Sequence, residues 1–61
     1  MISIHPDLNL FEVMLVQEHY RKRGIKCYTL TKGNDCIWAY HGAINEYFIF
    51  RNGQIADIQI D

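Results

Sequence analysis

Apolar residues along this chain change pattern once. From Leu8 to Val16 they crowd so closely that a helix there is apolar nearly all round, with Glu12, His19 and Arg23 marking its wettest direction, and from Ile25 onward they alternate between turn signals as strands do. Asn9 has the chemistry of an N-cap with Glu12 three positions on, and Leu8 is placed to touch Val13 across the cap. Asp7 is a second cap position that would lengthen the helix by two residues. The helix is predicted over Leu10 to Arg23: Arg21, Lys22 and Arg23 sit where the dipole favours cations, and Gly24 follows as the left-handed residue.

The second half reads as hairpins. Asn52-Gly53 suits a two-residue type I′ turn, which pairs Arg51 with Gln54, Phe50 with Ile55, Ile49 with Ala56, Phe48 with Asp57 and Tyr47 with Ile58. Upstream, Ile25 to Thr31 and Cys36 to Tyr40 are strands about the turn Lys32-Gly33-Asn34-Asp35. Gly33-Asn34 as its tight pair sets Thr31 opposite Cys36 and Leu30 opposite Ile37. A three-residue loop, Gly42-Ala43-Ile44, then brings the apolar positions into agreement by pairing His41 with Asn45, Ala39 with Tyr47 and Ile37 with Ile49. A one-residue slip there would turn the whole face over.

In that register one face holds Tyr28, Leu30, Ile37, Ala39, Tyr47, Ile49, Ala56 and Ile58. The other holds Cys27, Cys36, Trp38, Tyr40, Phe48, Phe50 and Ile55. The expected fold class is α+β, a single domain over residues 1–61, with one N-terminal helix packed on a four-stranded antiparallel β-meander. Residues 1–7 form an arm or a short edge strand, since Ile2 and Ile4 alternate with polar neighbours and Pro6 stops a central strand from continuing.

This arrangement leaves two apolar surfaces without a partner. A single helix covers one sheet face, so Trp38, Tyr40, Phe48, Phe50 and Ile55 form the expected interaction patch. On the helix, Leu10, Phe11, Met14 and Leu15 lie to one side while Val13, Val16 and Tyr20 extend toward another. Those last three are the alternative interaction site, met by the N-terminal arm or by a partner chain.

Composition strengthens the case for association. Of 61 residues, 49% are apolar and 13% aromatic, yet a chain this short buries only about 60% of its extended surface on folding. The two cysteines make no disulfide framework and are expected as free thiols in small buried positions. Met1 to Asp7 lacks the basic segment and apolar run of a signal peptide, and no run approaches the roughly 20 apolar residues of a membrane span. A cytoplasmic protein with no membrane partner is therefore expected.

Chemistry is sparse. His5, His19 and His41 come from an arm, the helix and a strand end, with no CxxC or HxxxH spacing, so no metal site or cofactor is expected. Cys36 and His41 share a strand but fall on opposite faces, and Glu46, Asp57 and Asp61 read as peripheral solubilising charges, so no catalytic residues are assigned. The net charge of −1 weakens nonspecific phosphate attraction. The residues nonetheless suit a second reading, with bases stacked on the aromatic face and Arg21, Lys22, Arg23, Lys26, Lys32 and Arg51 against phosphates. The main expectation is a small noncatalytic protein-interaction or regulatory module, homodimeric, with a further protein partner of unknown identity. A single-stranded nucleic-acid-binding module is the alternative.

Overall fold

Hydrogen bonds at both ends explain where the helix begins and stops. In the computed structural model, which describes residues 1–61, α1 spans Leu10–Lys22. Asn9 Oδ1 accepts from the amides of Phe11, at 2.8 Å, and Glu12, at 3.3 Å, satisfying two of the donors that a helix start leaves free. At the other end Ile25 N–H donates to Tyr20 C=O, at 2.9 Å, and Gly24 N–H to Arg21 C=O, at 3.1 Å. These are the two bonds of a Schellman motif, and Ile25 packs against the core beside the turn it closes.

The strands are β1 (Ile2–Ile4), β2 (Tyr28–Lys32), β3 (Cys36–His41), β4 (Ile44–Arg51) and β5 (Gln54–Ile60), in the spatial order β1-β2-β3-β4-β5. The α+β class stands. The sheet, however, has five strands and is mixed: β1 runs parallel to β2, with Ile2 beside Tyr28 and Ile4 beside Leu30, whereas β2 to β5 are antiparallel. A parallel neighbour requires a crossover, and α1 is that crossover.

Two turns depart from the expected register, with different consequences. The tight pair between β2 and β3 is Asn34-Asp35, with Asp35 at φ 58° and Gly33 N–H bonded to Cys36 C=O. Sliding a two-residue turn by one position shifts the pairing by two, so Leu30 meets Ala39 in place of Ile37 and every side chain keeps its face. Between β3 and β4 the loop is Gly42-Ala43, with His41 opposite Ile44 and Gly42 at φ 62°. Glycine at the first position is the mark of a type II′ turn. Losing one residue from the expected loop turns β4 over, so Phe48 and Phe50 face the helix while Tyr47 and Ile49 face outward.

The Asn52-Gly53 turn is as expected, with both residues at positive φ and Phe50 opposite Ile55. Beyond it β5 carries one extra residue: Ile49 pairs with Asp57 while Phe50 pairs with Ile55, leaving Ala56 as a bulge. Without the bulge Asp57 would lie opposite Phe48 in the core. With it Ile58 takes that place and Asp57 moves to the open face.

The core is the space between α1 and this sheet face. Val13, Val16 and Tyr20 pack on Tyr28, Leu30, Ile37, Ala39 and Phe48, with Phe50, Ile55 and Ile58 at the margin. The helix is thus rotated relative to the expected orientation. The stripe proposed as an outer contact faces inward, because it alone stays uncharged along the helix, whereas the side bearing Leu10 and Met14 continues into Glu18, Arg21 and Lys22.

Candidate functional site

The expected sheet-face patch is divided between two sides. Trp38 and Tyr40 remain on the open face, 38% and 37% exposed, but Phe48 is fully buried beneath α1 and Phe50 and Ile55 pack at the core margin. The type II′ turn is the cause, since it inverts β4 and the bulge then keeps Ile55 and Ile58 on the inner side. The alternative helix site is likewise closed, with Val13, Val16 and Tyr20 in the core.

On the open face Trp38 and Tyr47 are directly paired across β3 and β4. Their rings stack with centroids 4.9 Å apart and planes at 17°. The indole also lies over Gly33, where an added Cβ would come within 2.5 Å of the Trp38 ring and 2.6 Å of Cys36 Sγ. The tryptophan is therefore packed within the sheet surface, with one face held by Tyr47. Burial, followed by the negative charge of Asp61 beside it, pushes the Tyr47 phenol above its ordinary value.

The cations expected against phosphate do not gather there. Strand alternation puts Arg51 on the open face, together with the carboxylates of Asp57 and Asp61. Arg21 pairs with Glu18 on the helix. Arg23 points to Glu46 at 3.7 Å, Lys22 ends α1, and Lys26 and Lys32 are exposed at the two ends of β2.

The large apolar surface in water is on the helix. Leu10, Phe11 and Met14 are 74%, 78% and 62% exposed, on the side of α1 turned away from the sheet. They cover its first two turns, and Glu18, Arg21 and Lys22 continue the same side.

Beneath the other end of α1 lies a polar cluster that the sequence reading missed. Glu46, read as peripheral, is only 2% exposed and is the one buried charged residue. Its carboxylate accepts from Tyr20 Oη at 3.0 Å and bonds His41 Nε2 at 2.5 Å. His41 and Glu46 are diagonal neighbours across the β3–β4 ladder, with tiny Ala39 directly opposite the glutamate. Burial alone would raise the Glu46 carboxyl. The hydrogen bonds from His41 and Tyr20 and the positive charges of His41 and Arg23 outweigh that and hold it below the ordinary carboxylate range. Burial, then the bond to Glu46 and its charge, push the Tyr20 phenol far above its ordinary value. The signal was the Gly42-Ala43 pair: read as a type II′ turn, it puts Glu46 inside.

Other ionisable groups do not converge. No group of three His, Cys, Asp or Glu side chains is placed to hold a metal ion. Both cysteines are free thiols, Cys36 half-buried and Cys27 exposed, against the expectation that both would be buried. The largest recess, about 500 Å³, lies by the helix start and has Asp7, Glu12, Lys32 and Asp35 around it, charges of both signs. No helix is long and apolar enough to cross a membrane. No protein-family model, curated protein or solved structure matches the chain, so function has to be read from this geometry.

Proposed function

We propose that the chain is a small noncatalytic protein-interaction module of the cytoplasm that works as a homodimer, with a regulatory rather than a chemical role. The observation that carries this reading is the exposure of Leu10, Phe11 and Met14 on a helix whose core-facing stripe is already satisfied. A helix that buries one stripe and still carries large apolar side chains on its outer side is one whose outer side also wants cover. Only nine of 61 residues are buried, so a second copy supplies burial that the chain cannot supply alone. The one close cluster of ionisable groups, Glu46 with Tyr20 and His41, has its hydrogen bonds satisfied internally, which suits a structural part better than a reactive one. Sedimentation velocity tests the reading: a dimer is expected at tens of micromolar, and a monomer at that concentration refutes it.

The open sheet face supports a second reading, single-stranded nucleic-acid binding, through the exposed edges of Trp38 and Tyr40. Against it stand the carboxylates of Asp57 and Asp61 on the same face and the stacking of Trp38 on Tyr47. Titration with a labelled oligouridylate or oligothymidylate separates the two. Saturable binding that is lost in Trp38→Ala, by a protein that stays monomeric, would replace the first reading with the second.

A further inference from the structure

We infer that the groove between α1 and the edge strand β1 is a binding site for a small amphipathic anion, an apolar chain ending in a single carboxylate. The groove exists because one helix cannot roof five strands. A helix is about 10 Å across and neighbouring strands lie about 4.8 Å apart, so α1 roofs about three of them at most. Val13, Val16 and Tyr20 pack on residues of β2, β3 and β4, and β1 lies beyond that roof. Ile2 stands beside Tyr28 in the parallel ladder and so turns to the same side of the sheet. It is 47% exposed there, whereas Tyr28 is buried.

The resulting recess measures about 330 Å³, within the size range of small-molecule sites. Ile2, Ile25 and Tyr28 supply its apolar lining, and Gln17, Arg21 and Lys26 stand around them with no carboxylate among the lining residues. That separates it from the recess at the helix start, where Asp7, Glu12 and Asp35 accompany Lys32. It also differs from the recess of about 290 Å³ between β1 and β3, which no Lys, Arg, Asp or Glu lines.

The two cations are not equally committed. Arg21 gives Nε and Nη2 to Glu18 and keeps Nη1 for a second acceptor, while Lys26 takes part in none of the chain's ion pairs. The groove thus presents an apolar wall beside an unpaired positive charge, and a carboxylate on an apolar chain meets both at once. An uncharged molecule would draw water from Lys26 with nothing in return. A cation would face two charges of its own sign. The site is complete within one chain and stands independently of the homodimer reading.

Heteronuclear NMR titration with octanoate tests it, with octylammonium and 1-octanol as probes of the same chain length. A ligand of this size in an open groove is expected to bind at about 1 mM. Octanoate should shift the amides of Gln17, Ile25, Lys26 and Tyr28 saturably; octanol should bind more weakly, and octylammonium should leave them unmoved. Lys26→Gln, at an exposed position outside the strands, should weaken octanoate by about fivefold and leave octanol unchanged. Ile2→Ser should weaken both, and the amides away from the groove report that each variant stays folded. No saturable shift at the groove amides up to about 20 mM octanoate overturns the site. Octanol or octylammonium binding as tightly as octanoate, or a Lys26→Gln variant that binds it undiminished, overturns the assignment to an anion. Shifts centred on Leu10, Phe11 and Met14 put the ligand on the outer side of α1 and overturn the groove. A monomeric wild type refutes the homodimer reading and leaves each of these outcomes as it stands.

Discussion

Tyr20 Oη donates to Glu46 Oε1 at 3.0 Å across 26 residues of sequence, joining the last turn of α1 to the middle strand of the β3–β4–β5 meander. Both side chains are essentially sealed from solvent, and hydrogen bonds to a buried charged group are among the stronger ones. Tyr20→Phe keeps the ring and removes only this bond. It is expected to lower the free energy of unfolding in urea by about 2 kcal/mol, and a change under about 0.5 kcal/mol would mean that solvent already competes for the carboxylate.

Acid should act on the same group. Glu46 is held below the ordinary carboxylate value by His41, Tyr20 and Arg23 despite its burial. As pH falls the unfolded chain takes up this proton first. The stabilisation is therefore complete above the unfolded value, about 4.3, and is lost as pH falls through the depressed native value. Urea unfolding followed from about pH 5 to about pH 3 should show a falling stability, with a shallower slope in Glu46→Gln.

Gly33 has no room for a side chain. A Cβ would meet the Trp38 ring at 2.5 Å and Cys36 Sγ at 2.6 Å. Gly33→Ala should cost about 1–3 kcal/mol as overpacking and should change the Trp38 emission spectrum, since the indole has to leave its stack on Tyr47. An unchanged emission maximum would contradict that placement.

Deleting Ala56 removes the bulge and leaves a regular ladder from the Asn52-Gly53 turn, with Ile55 opposite Phe50, Asp57 opposite Ile49 and Ile58 opposite Phe48, so each side chain keeps its face. The deletion variant should therefore fold and melt within about 8 °C of the wild type, the shift of roughly 1 kcal/mol in a domain this small. A variant unfolded at neutral pH would show that the bend of the bulge itself, and not only the pairing beyond it, is needed to hold the sheet against α1.

The parts of this fold that could be read from the chain are those decided by neighbouring residues. Asn9 caps the helix, Gly24 closes it and Asn52-Gly53 makes its turn, all within a few positions, whereas Ile25, expected to begin a strand, completes the helix end instead. What could not be read depended on distant partners. Both loop lengths after His41 set apolar residues against apolar residues, and the shorter one wins in company with Tyr20 and His41, which satisfy Glu46 inside. The rotation of α1 was hidden for a similar reason: its first half is apolar nearly all round, Glu12 apart, so its apolar residues fix no phase. The charges of its second half, Glu18, Arg21 and Lys22, point outward and settle the matter. At the surface this exchanged the roles of two sets, bringing Leu10, Phe11 and Met14 into solvent in place of Phe48 and Phe50.

The parallel seam between β1 and β2 gives the chain an order of assembly. Strands β2 to β5 join through tight turns, and hairpins of this kind close within about 10 µs. The seam must instead bring Met1 C=O to Tyr28 N–H and Leu30 C=O to His5 N–H, around the whole of α1, with more chain entropy to overcome and only a three-residue strand to reward it. Hydrogen exchange should therefore find the His5 amide opening at a lower free energy than the amides of β3 and β4. During synthesis β1 leaves the ribosome first yet has nothing to pair with until β2 follows, so its docking waits on the strands made after it.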